Sequence, residues 1–443
     1  MSNLLILLGV EILLFCVCFV FTQQDIMAPS IMMLLVFIFS TLITLLNVEK
    51  WKIKYSVEAM LILVLGLFLF CAIDILTKAC FKSRQKSLIS GENRIIEIDN
   101  WKTGFIIFCD IIIVFLVYRE VRRIAGTNAY FTNIFYAYRV ITSHSSERGL
   151  DQYMNGIVAQ AMKIVIVSGF IYAFTFVNNV LVNKKNIRKN ILYLVPPALL
   201  IVMTLITGVR TNVLRLAVFV LIVWYVLLQM KQGWRIKTSW KFVRKLALSV
   251  VIILILFTGL QTFLGRTGET DFLSVISNYA GASIQHFNQY IQDPPEPNEV
   301  FGQETFTGVW NVLNKLGIVK KSFLAHEEYR YLDNVNFGNV YTFFRRYLQD
   351  FGAFGMAIMT IITSFIFSYM YNCKICGKKL TYRRMLTIIE YGYMYYIVAM
   401  SSVDNLVHDY LNVGIIIQIL LLHAMMWFLF KCKIKYKERI CSK

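Results

Sequence analysis

The chain has 443 residues, of which 57% are hydrophobic and 16% are charged, and its formal net charge is +19. A soluble protein carries roughly 25% charged residues, so this composition excludes an ordinary soluble domain. The Lys and Arg residues lie in short loops between apolar runs. This basic charge therefore indicates cytoplasmic loops of a membrane protein, and we expect no nucleic-acid partner.

Apolar runs near 20 residues recur along the whole chain, and each is long enough to cross roughly 30 Å of hydrocarbon. Backbone groups in lipid have no water to bind, so these runs must be helices. The first run lacks a basic n-region and a small-residue cleavage site, and we expect it to be retained as a helix. The sequence predicts an all-α polytopic membrane protein with about 11–12 transmembrane helices. The predicted spans are 4–21, 30–47, 57–79, 103–118, 156–182, 190–206, 212–230, 246–264, 352–372, 385–402 and 411–430.

The basic loops set the expected topology. We expect 231–245, 373–384 and the basic C-terminal tail to be cytoplasmic, together with 48–56 and 183–190. Three spans separate 56 from 183, whereas two cytoplasmic loops require an even number. We therefore expect a twelfth crossing within 120–155 and both termini inside. The alternative has eleven spans and places the N-terminus outside, with Lys50, Lys52 and Lys54.

The predicted topology divides the chain into three parts. Residues 1–264 form an N-terminal bundle, 265–351 form a large loop on the outer face, and 352–443 form the last spans and the tail. The loop holds seven cationic and ten anionic residues, a net charge of −3 within a chain of +19. Apolar residues at helical spacing predict amphipathic helices within it.

Arginines near the outer face are the first candidates for chemistry. A guanidinium group recognises phosphate bidentately, and several that converge on one cavity would suit a diphosphate. The alternative is that each side chain extends to lipid headgroups. The candidates are Arg210, Arg266, Arg345 and Arg346.

Other ionisable residues have weaker patterns. Asp404, His408 and Asp409 fall at helical spacing, so His408 is either a general base among carboxylates or part of a polar turn. Charges inside the spans should face the bundle interior, where we favour structural pairing over transport. They are Asp74, Asp110, Lys163, Arg215 and Glu390. The chain lacks the motifs of a metal or nucleotide site, and we expect no metal and no cofactor.

Two short segments resemble a known family. "NVYTFFRRYLQDFGAFG", from Asn339 to Gly355, resembles the N-x-Y-T-x-x-x-x-x-Y-x-D-x-G-x-x-G signature of Wzy-type oligosaccharide repeat-unit polymerases. "TGVRTNVL" (207–214) is similar to the element that opens a mid-chain span in that family. The resemblance implies a GT-C-like helical bundle, related to the O-antigen ligases, in the bacterial cytoplasmic membrane. It also implies a metal-independent glycosyltransferase that makes O-antigen, capsule or exopolysaccharide.

In that family the donor is a glycan on undecaprenyl diphosphate, and the acceptor is one lipid-linked repeat unit whose hydroxyl attacks the anomeric carbon. By resemblance, the four candidate arginines would stabilise the leaving diphosphate, and Asp350 would orient an arginine or accept the proton. The residues expected to bind the sugars are Asn339, Tyr341, Thr342, Phe343, Phe344 and Tyr347. Gly352 and Gly355 would allow close helix approach. Expected partners are both lipid-linked substrates, membrane lipids, a chain-length regulator and a flippase. The alternatives are a flippase or transporter of lipid-linked sugar, and an O-antigen ligase.

Overall fold

The computed structural model describes residues 1–81, 95–126, 134–148, 154–234, 275–323, 327–332 and 335–432, with the single positions 244, 248, 255 and 259. Nearly all of the ordered elements are helices. The N-terminal helices are α1 (Ser2–Phe21), α2 (Pro29–Leu46), α3 (Val57–Cys80), α4 (Asn100–Ala125), α5 (Ile134–Arg148), α6 (Gly156–Val182), α7 (Ile187–Ile206) and α8 (Thr211–Lys231). A short π-helix (Ser277–Gly281) leads into α9 (Ala282–Gln292). The later elements are α10 (Thr307–Lys315), β1 (Arg330–Leu332), β2 (Val335–Gly338), α11 (Phe344–Ile375), α12 (Tyr382–Met394) and α13 (Val413–Phe430). The strands β1 and β2 pair antiparallel as a small hairpin.

Eight helices in the described part of the chain are long and apolar enough to cross a membrane: α1, α2, α3, α6, α7, α8, α11 and α13. They match eight of the eleven predicted spans and confirm an all-α, multi-pass membrane protein. The predicted span 103–118 lies within the 26-residue helix α4. The predicted span 385–402 is broken, because α12 ends at Met394 and a one-turn helix, Tyr396–Ala399, follows it. The span 246–264 lies outside the described residues except for 248, 255 and 259.

The ends of the helices meet at two opposite faces of the bundle. At the first face, Asn3 Nδ2 donates to Tyr55 O (2.8 Å), and Ser56 N donates to Asn288 Oδ1 of α9 (2.8 Å). The start of α1, the connection 48–56 and α9 therefore share this end, which we call the loop face. Asn288 Nδ2 strengthens this link by donating to Lys54 O (3.0 Å).

The opposite end carries the strongly basic connections, and we call it the basic face. Here Lys78 Nζ donates to Thr22 O (2.6 Å), and Lys231 Nζ donates to Val182 O (2.8 Å). The connections 183–186 and 376–381 and the end of α13 lie at this face. The excess of Lys and Arg indicates that the basic face is cytoplasmic and that the loop face is the outer one.

These contacts correct one topology prediction. The connection 48–56 was expected to be cytoplasmic, yet it hydrogen-bonds to α9 of the segment expected outside. The two cannot lie on opposite sides of a membrane. The structure fits the alternative of eleven spans, with Lys50, Lys52 and Lys54 on the loop face. The helix α5 has 15 residues, which span only about 22 Å, too short for a twelfth crossing.

The charged residues inside the bundle are mostly tied to polar groups of neighbouring helices. Asp74 accepts from Ser30 Oγ (2.5 Å), and Asp110 accepts from Ser168 Oγ (2.7 Å). Such pairs satisfy a carboxyl group that would otherwise be costly in hydrocarbon. This is the structural pairing expected from the sequence, with hydroxyl donors in place of cations.

Helix α11 is divided by a sharp turn at Gly352, whose φ of 66° and ψ of −175° are accessible essentially to glycine alone. Tyr347 Oη lies 3.0 Å from Thr363 Oγ1, although 16 residues of straight helix would separate them by about 24 Å. The stretch 344–351 therefore folds back along the rest of α11, and we call it the re-entrant arm. A Cβ on Gly352 would meet no atom within 4 Å, so this glycine serves the turn and not close helix packing.

The re-entrant arm carries its first residues deep into the bundle. The Phe344 ring lies 5.7 Å from the Phe37 ring, and it fills the space beside Gly66. Phe37 is nine residues from the end of α2, and Gly66 is nine residues from the start of α3. Both helices therefore place Phe344 about 13 Å below the loop face. The adjacent Arg345 and Arg346 are buried inside the bundle rather than at a membrane surface.

Candidate functional site

Arg345 is enclosed by carboxylates. Its Nη1 pairs closely with Glu304 Oε2, its Nη2 pairs closely with Glu328 Oε2, and Glu327 Oε1 lies 3.6 Å from Nη1. The side chain is 1% exposed. Its cationic face also lies 5.1 Å from the centre of the Tyr290 ring. A charge at this depth requires such compensation, because burying it unpaired costs many kcal/mol.

Arg346 shares one of these acids. Its Nε lies 3.3 Å from Glu327 Oε1 and 3.3 Å from Asp404 Oδ1, on the segment between α12 and α13. We call the two arginines and Glu304, Glu327, Glu328 and Asp404 the acidic cluster. It contains two guanidinium groups and four carboxyl groups. If all were ionised, the cluster would hold two excess negative charges.

Glu327 is the most deeply buried of these acids. Burial raises its pKa to about 8, with Asp404 and Glu304 adding to the rise and Arg346 and Arg345 opposing it. Neither carboxylate oxygen has a hydrogen-bonding partner among the residues that the structure describes. Desolvation of this carboxyl group outweighs the stabilisation by the two nearby arginines, so the cluster holds a proton near neutral pH. Burial also raises the pKa of Glu304, by more than the nearby Arg345 lowers it.

A third arginine lies at the edge of the acidic cluster. Arg330 Nη1 pairs with Asp293 Oδ2 (3.0 Å), and its Nη2 lies 3.3 Å from Glu328 Oε1. Its Nε donates to Tyr341 Oη (3.3 Å). Arg330 begins the β1–β2 hairpin, so this pairing fixes the hairpin against the end of α9. The hairpin and the re-entrant arm thereby hold Glu328 from two sides.

Asp350 holds the backbone turn that contains Glu304. It accepts hydrogen bonds from Asn298 Nδ2 (2.6 Å), Glu304 N (3.0 Å) and Thr305 N (2.6 Å). These bonds fix the turn that presents Glu304 to Arg345. The expectation that Asp350 orients an arginine thus has an indirect structural counterpart. Its oxygens are already occupied by three donors, which disfavours the alternative role as proton acceptor.

The aromatic residues expected to stack on sugars are buried in protein. Tyr341, Phe343, Phe344 and Tyr347 are at most 1% exposed. Phe343 packs at 5.2 Å against Tyr347, and Phe344 packs on α2 and α3. No face of these four rings is available to a sugar in this structure, because the re-entrant arm inserts them into the bundle. We therefore assign them to packing.

The two polar residues of the same motif have different surroundings. Asn339 Nδ2 donates to Glu327 O (3.4 Å), so it borders the acidic cluster. Thr342 is fully buried, and its hydroxyl group has no hydrogen-bonding partner within the described part of the chain. Neither contact tests the substrate-binding role expected for these residues.

The candidate arginines do not converge on one point. Arg210 Nη2 donates to Tyr279 Oη (2.9 Å), whereas Arg345 stacks on Tyr290. These tyrosines are eleven residues apart on one continuous helical segment, or about 16 Å along its axis. Arg210 therefore contacts a different part of the loop face. Arg266 lies outside the described residues.

The predicted group of Asp404, His408 and Asp409 divides between two arginines. The helix in this segment is a single turn, Val407–Tyr410, and it excludes Asp404. Asp404 pairs with Arg346, whereas Asp409 Oδ2 lies 3.4 Å from Arg215 Nη2. His408 Nδ1 lies 2.8 Å from Asn405 O and its Nε2 lies 3.4 Å from Asp409 Oδ1. The role of His408 as a base stays a prediction.

No sequence motif predicted a catalytic role for Glu304, Glu327 or Arg330. The only signal for Glu327 was a pair of adjacent acids, Glu327 and Glu328, located shortly before the polymerase-like motif. Their burial depends on the re-entrant arm, whose reversal at Gly352 has no counterpart in hydropathy. Comparison of the chain with family models, with curated proteins and with solved structures found no significant match.

Proposed function

We propose that this protein is a membrane glycosyltransferase that polymerises oligosaccharide repeat units carried on a lipid diphosphate. The reaction would occur at the loop face of the bacterial cytoplasmic membrane, with undecaprenyl-diphosphate-linked oligosaccharides as donor and acceptor. The observation that carries the proposal is Glu327, a buried carboxyl group whose oxygens accept no hydrogen bond from the described residues and whose pKa burial raises to about 8. A general base is most effective when its pKa lies near the working pH.

In the proposed step, a hydroxyl group of the acceptor sugar attacks the anomeric carbon of the donor. The new carbon–oxygen bond forms as the bond from that carbon to the diphosphate oxygen breaks. The hydroxyl proton passes to the ionised Glu327 carboxylate, and the bonding electron pair leaves with the lipid diphosphate. Because the Glu327 side chain is 1% exposed, this step requires the residues that cover it to move aside when the acceptor binds. The proton balance closes when Glu327 releases this proton to water.

Arg345 and Arg346 would act mainly by holding the acids. Both Nη atoms of Arg345 already bind carboxylates, so direct contact with a diphosphate would require Glu304 or Glu328 to withdraw. Their positive charge limits the pKa of Glu327 and keeps its carboxyl group in one place. In this proposal they are positioning residues, in contrast to the direct clamp expected from the sequence.

The location of the acidic cluster favours an enzyme over a transporter. Its members lie on the loop-face side, and the described acids Asp74 and Asp110 deeper in the bundle bind hydroxyl groups of neighbouring helices. A transporter of charged lipid-linked sugar would need a polar path between the two faces. A reaction at one face needs only a site of this kind.

The test is polymerisation by purified protein in lipid nanodiscs, supplied with a lipid-diphosphate-linked repeat unit. We expect wild-type protein to make a ladder of longer glycans. Glu327→Gln should slow elongation by about 10²-fold or more, because general-base catalysis contributes about that much. Glu299→Gln is the matched control, since Glu299 is an exposed acid of the same loop paired with Lys321. The proposal fails if wild-type protein makes no polymer, or if Glu327→Gln elongates as fast as Glu299→Gln.

A further inference from the structure

A lateral cavity of about 310 Å³ lies between α6, α12 and α13. Its lining is largely apolar and includes Phe170, Ile389, Ile415 and Leu422, together with the polar side chains of Glu390 and Gln418. Ile419 lines the cavity and is also 43% exposed, so the cavity opens on the outer surface of the bundle. A volume of about 310 Å³ is large enough for part of a lipid tail.

One end of the cavity leads to Arg215. Tyr393 and Tyr410 line the cavity, and their ring centres lie 5.0 Å and 5.4 Å from the Arg215 guanidinium carbon. Tyr396 completes this aromatic cage at 5.2 Å. The cage places a fixed cation at the boundary between an apolar cavity and the loop face.

The guanidinium group of Arg215 is incompletely satisfied. The side chain is 8% exposed, and its Nη1 donates to Asn212 Oδ1 (3.2 Å) and to Tyr393 Oη (3.1 Å). Its Nε has no hydrogen-bonding partner among the residues described. Its acidic partner Asp409 is 3.4 Å away and is itself 41% exposed. A second cation, Lys163, lies close to Gly414 at the start of α13. A buried cation with an unpartnered Nε and one partly exposed acid partner at 3.4 Å can bind an anionic group in addition to its present contacts.

The chain connects this cage to the acidic cluster. Asp409 pairs with Arg215, and Asp404, five residues earlier, pairs with Arg346. Five residues span at most about 17 Å, so the two sites are neighbours on the loop face. A headgroup at Arg215 would therefore lie on the same face of the bundle as the acidic cluster.

We infer that Arg215 and the lateral cavity form a binding site for a phosphate-bearing lipid, with the headgroup at Arg215 and one apolar tail between α6, α12 and α13. This inference deepens the proposed function and rests on it for the identity of the lipid as the diphosphate carrier. It assigns the headgroup to Arg215, a residue outside the four arginines expected from the sequence.

The test measures binding of undecaprenyl diphosphate to purified full-length protein by native mass spectrometry. Ile419→Trp should obstruct the mouth of the cavity, and Arg215→Gln should remove the headgroup contact. Each should weaken binding by about tenfold or more. Ile416→Trp is the matched control, because Ile416 is 58% exposed on the same helix and does not line the cavity.

Three further probes identify the source of affinity. Undecaprenol carries the tail without phosphate, inorganic diphosphate carries the headgroup without a tail, and phosphatidylglycerol carries two tails. We expect each to bind more weakly than undecaprenyl diphosphate. Equal binding of any one of them would overturn the inference, as would unchanged binding by Ile419→Trp.

The two assays distinguish failure of the lipid-site inference from failure of the proposed function. If the lipid binds as expected and no polymer forms, the lipid site stands and the proposed function is wrong. If polymer forms while Ile419→Trp and Arg215→Gln bind the lipid like wild type, the proposed function stands and the lipid site is wrong.

Discussion

Two buried arginine regions near the loop face have opposite surroundings. Arg345 and Arg346 together contact four carboxyl groups. Arg215 lies among three tyrosine rings and has one partly exposed acid partner, Asp409. The first region has more negative than positive charge and retains a proton at Glu327. The second presents a cation with a single acid partner among the described residues, Asp409.

This difference shows that burial of an arginine does not by itself indicate an anion site. An arginine surrounded by acids fixes those acids and adjusts their pKa, as around Glu327. An arginine surrounded by aromatic rings keeps its charge available, since rings stabilise the cation without neutralising it. We therefore propose proton transfer for the first region and anion binding for the second.

Lys50 and Glu296 are both expected at the loop face, and cysteine labelling tests this placement directly. In a background without the nine native cysteines, Lys50→Cys and Glu296→Cys should react together with an impermeant maleimide in intact cells. Lys185→Cys, near the basic face, should react only after permeabilisation. Labelling of position 50 and position 296 from opposite sides would show that the assignment of faces is wrong.

Removal of Arg345 should have the larger effect on stability. Arg345→Ala leaves Glu304 without its cation and Glu328 with Arg330 alone, and breaking a buried ion pair costs about 3–5 kcal/mol. Arg215→Ala should cost about 1–2 kcal/mol, mainly the lost stacking on tyrosine, because Asp409 remains solvated. Unfolding of purified protein in detergent measures both, with Arg123→Ala as a control for an exposed pair. Equal losses for Arg345→Ala and Arg215→Ala would contradict the distinction.

Gly352→Ala should destabilise the re-entrant arm by about 1–3 kcal/mol, because the required backbone conformation is unfavourable for alanine. The loss is conformational, since a Cβ would meet no neighbouring atom. Gly104→Ala in α4 is the matched control: this glycine also faces open space and has no positive φ. We expect it to be neutral or slightly stabilising. If both substitutions have the same effect on unfolding, the turn at Gly352 is not under the constraint described.

Excess EDTA should leave elongation unchanged. The acids of the acidic cluster bind arginines, and the described residues include no group of three or more His, Cys, Asp or Glu placed to hold a metal ion. The assay is the polymerisation reaction with EDTA and with added Mg²⁺. Activity that disappears with EDTA and returns with Mg²⁺ would contradict this prediction.

The sequence predicted the helices well and the site only in part. Long apolar runs identify helices because a backbone in lipid has few alternatives, and eight predicted spans are present. The loop 48–56 was placed on the wrong face because the basic-residue rule counts charges and cannot detect its contact with Asn288. The aromatic residues of the segment 339–355 were expected to bind sugars, but the turn at Gly352 inserts Phe344 and Tyr347 into the bundle. The burial and raised pKa of Glu327 depend on contacts with three separate segments, and no local sequence pattern indicates such contacts.

The proton on Glu327 can be observed directly. Infrared spectroscopy of purified protein across a pH titration detects the carbonyl band of a protonated carboxyl group, and Glu327→Gln identifies its source. Because burial raises the folded-state pKa to about 8, the wild type should show this band at pH 7 and lose it as the pH rises through about 8. Glu327→Gln should lack that component. A band that disappears near pH 4.5, the ordinary value for glutamate, or that persists unchanged in Glu327→Gln, would contradict the account.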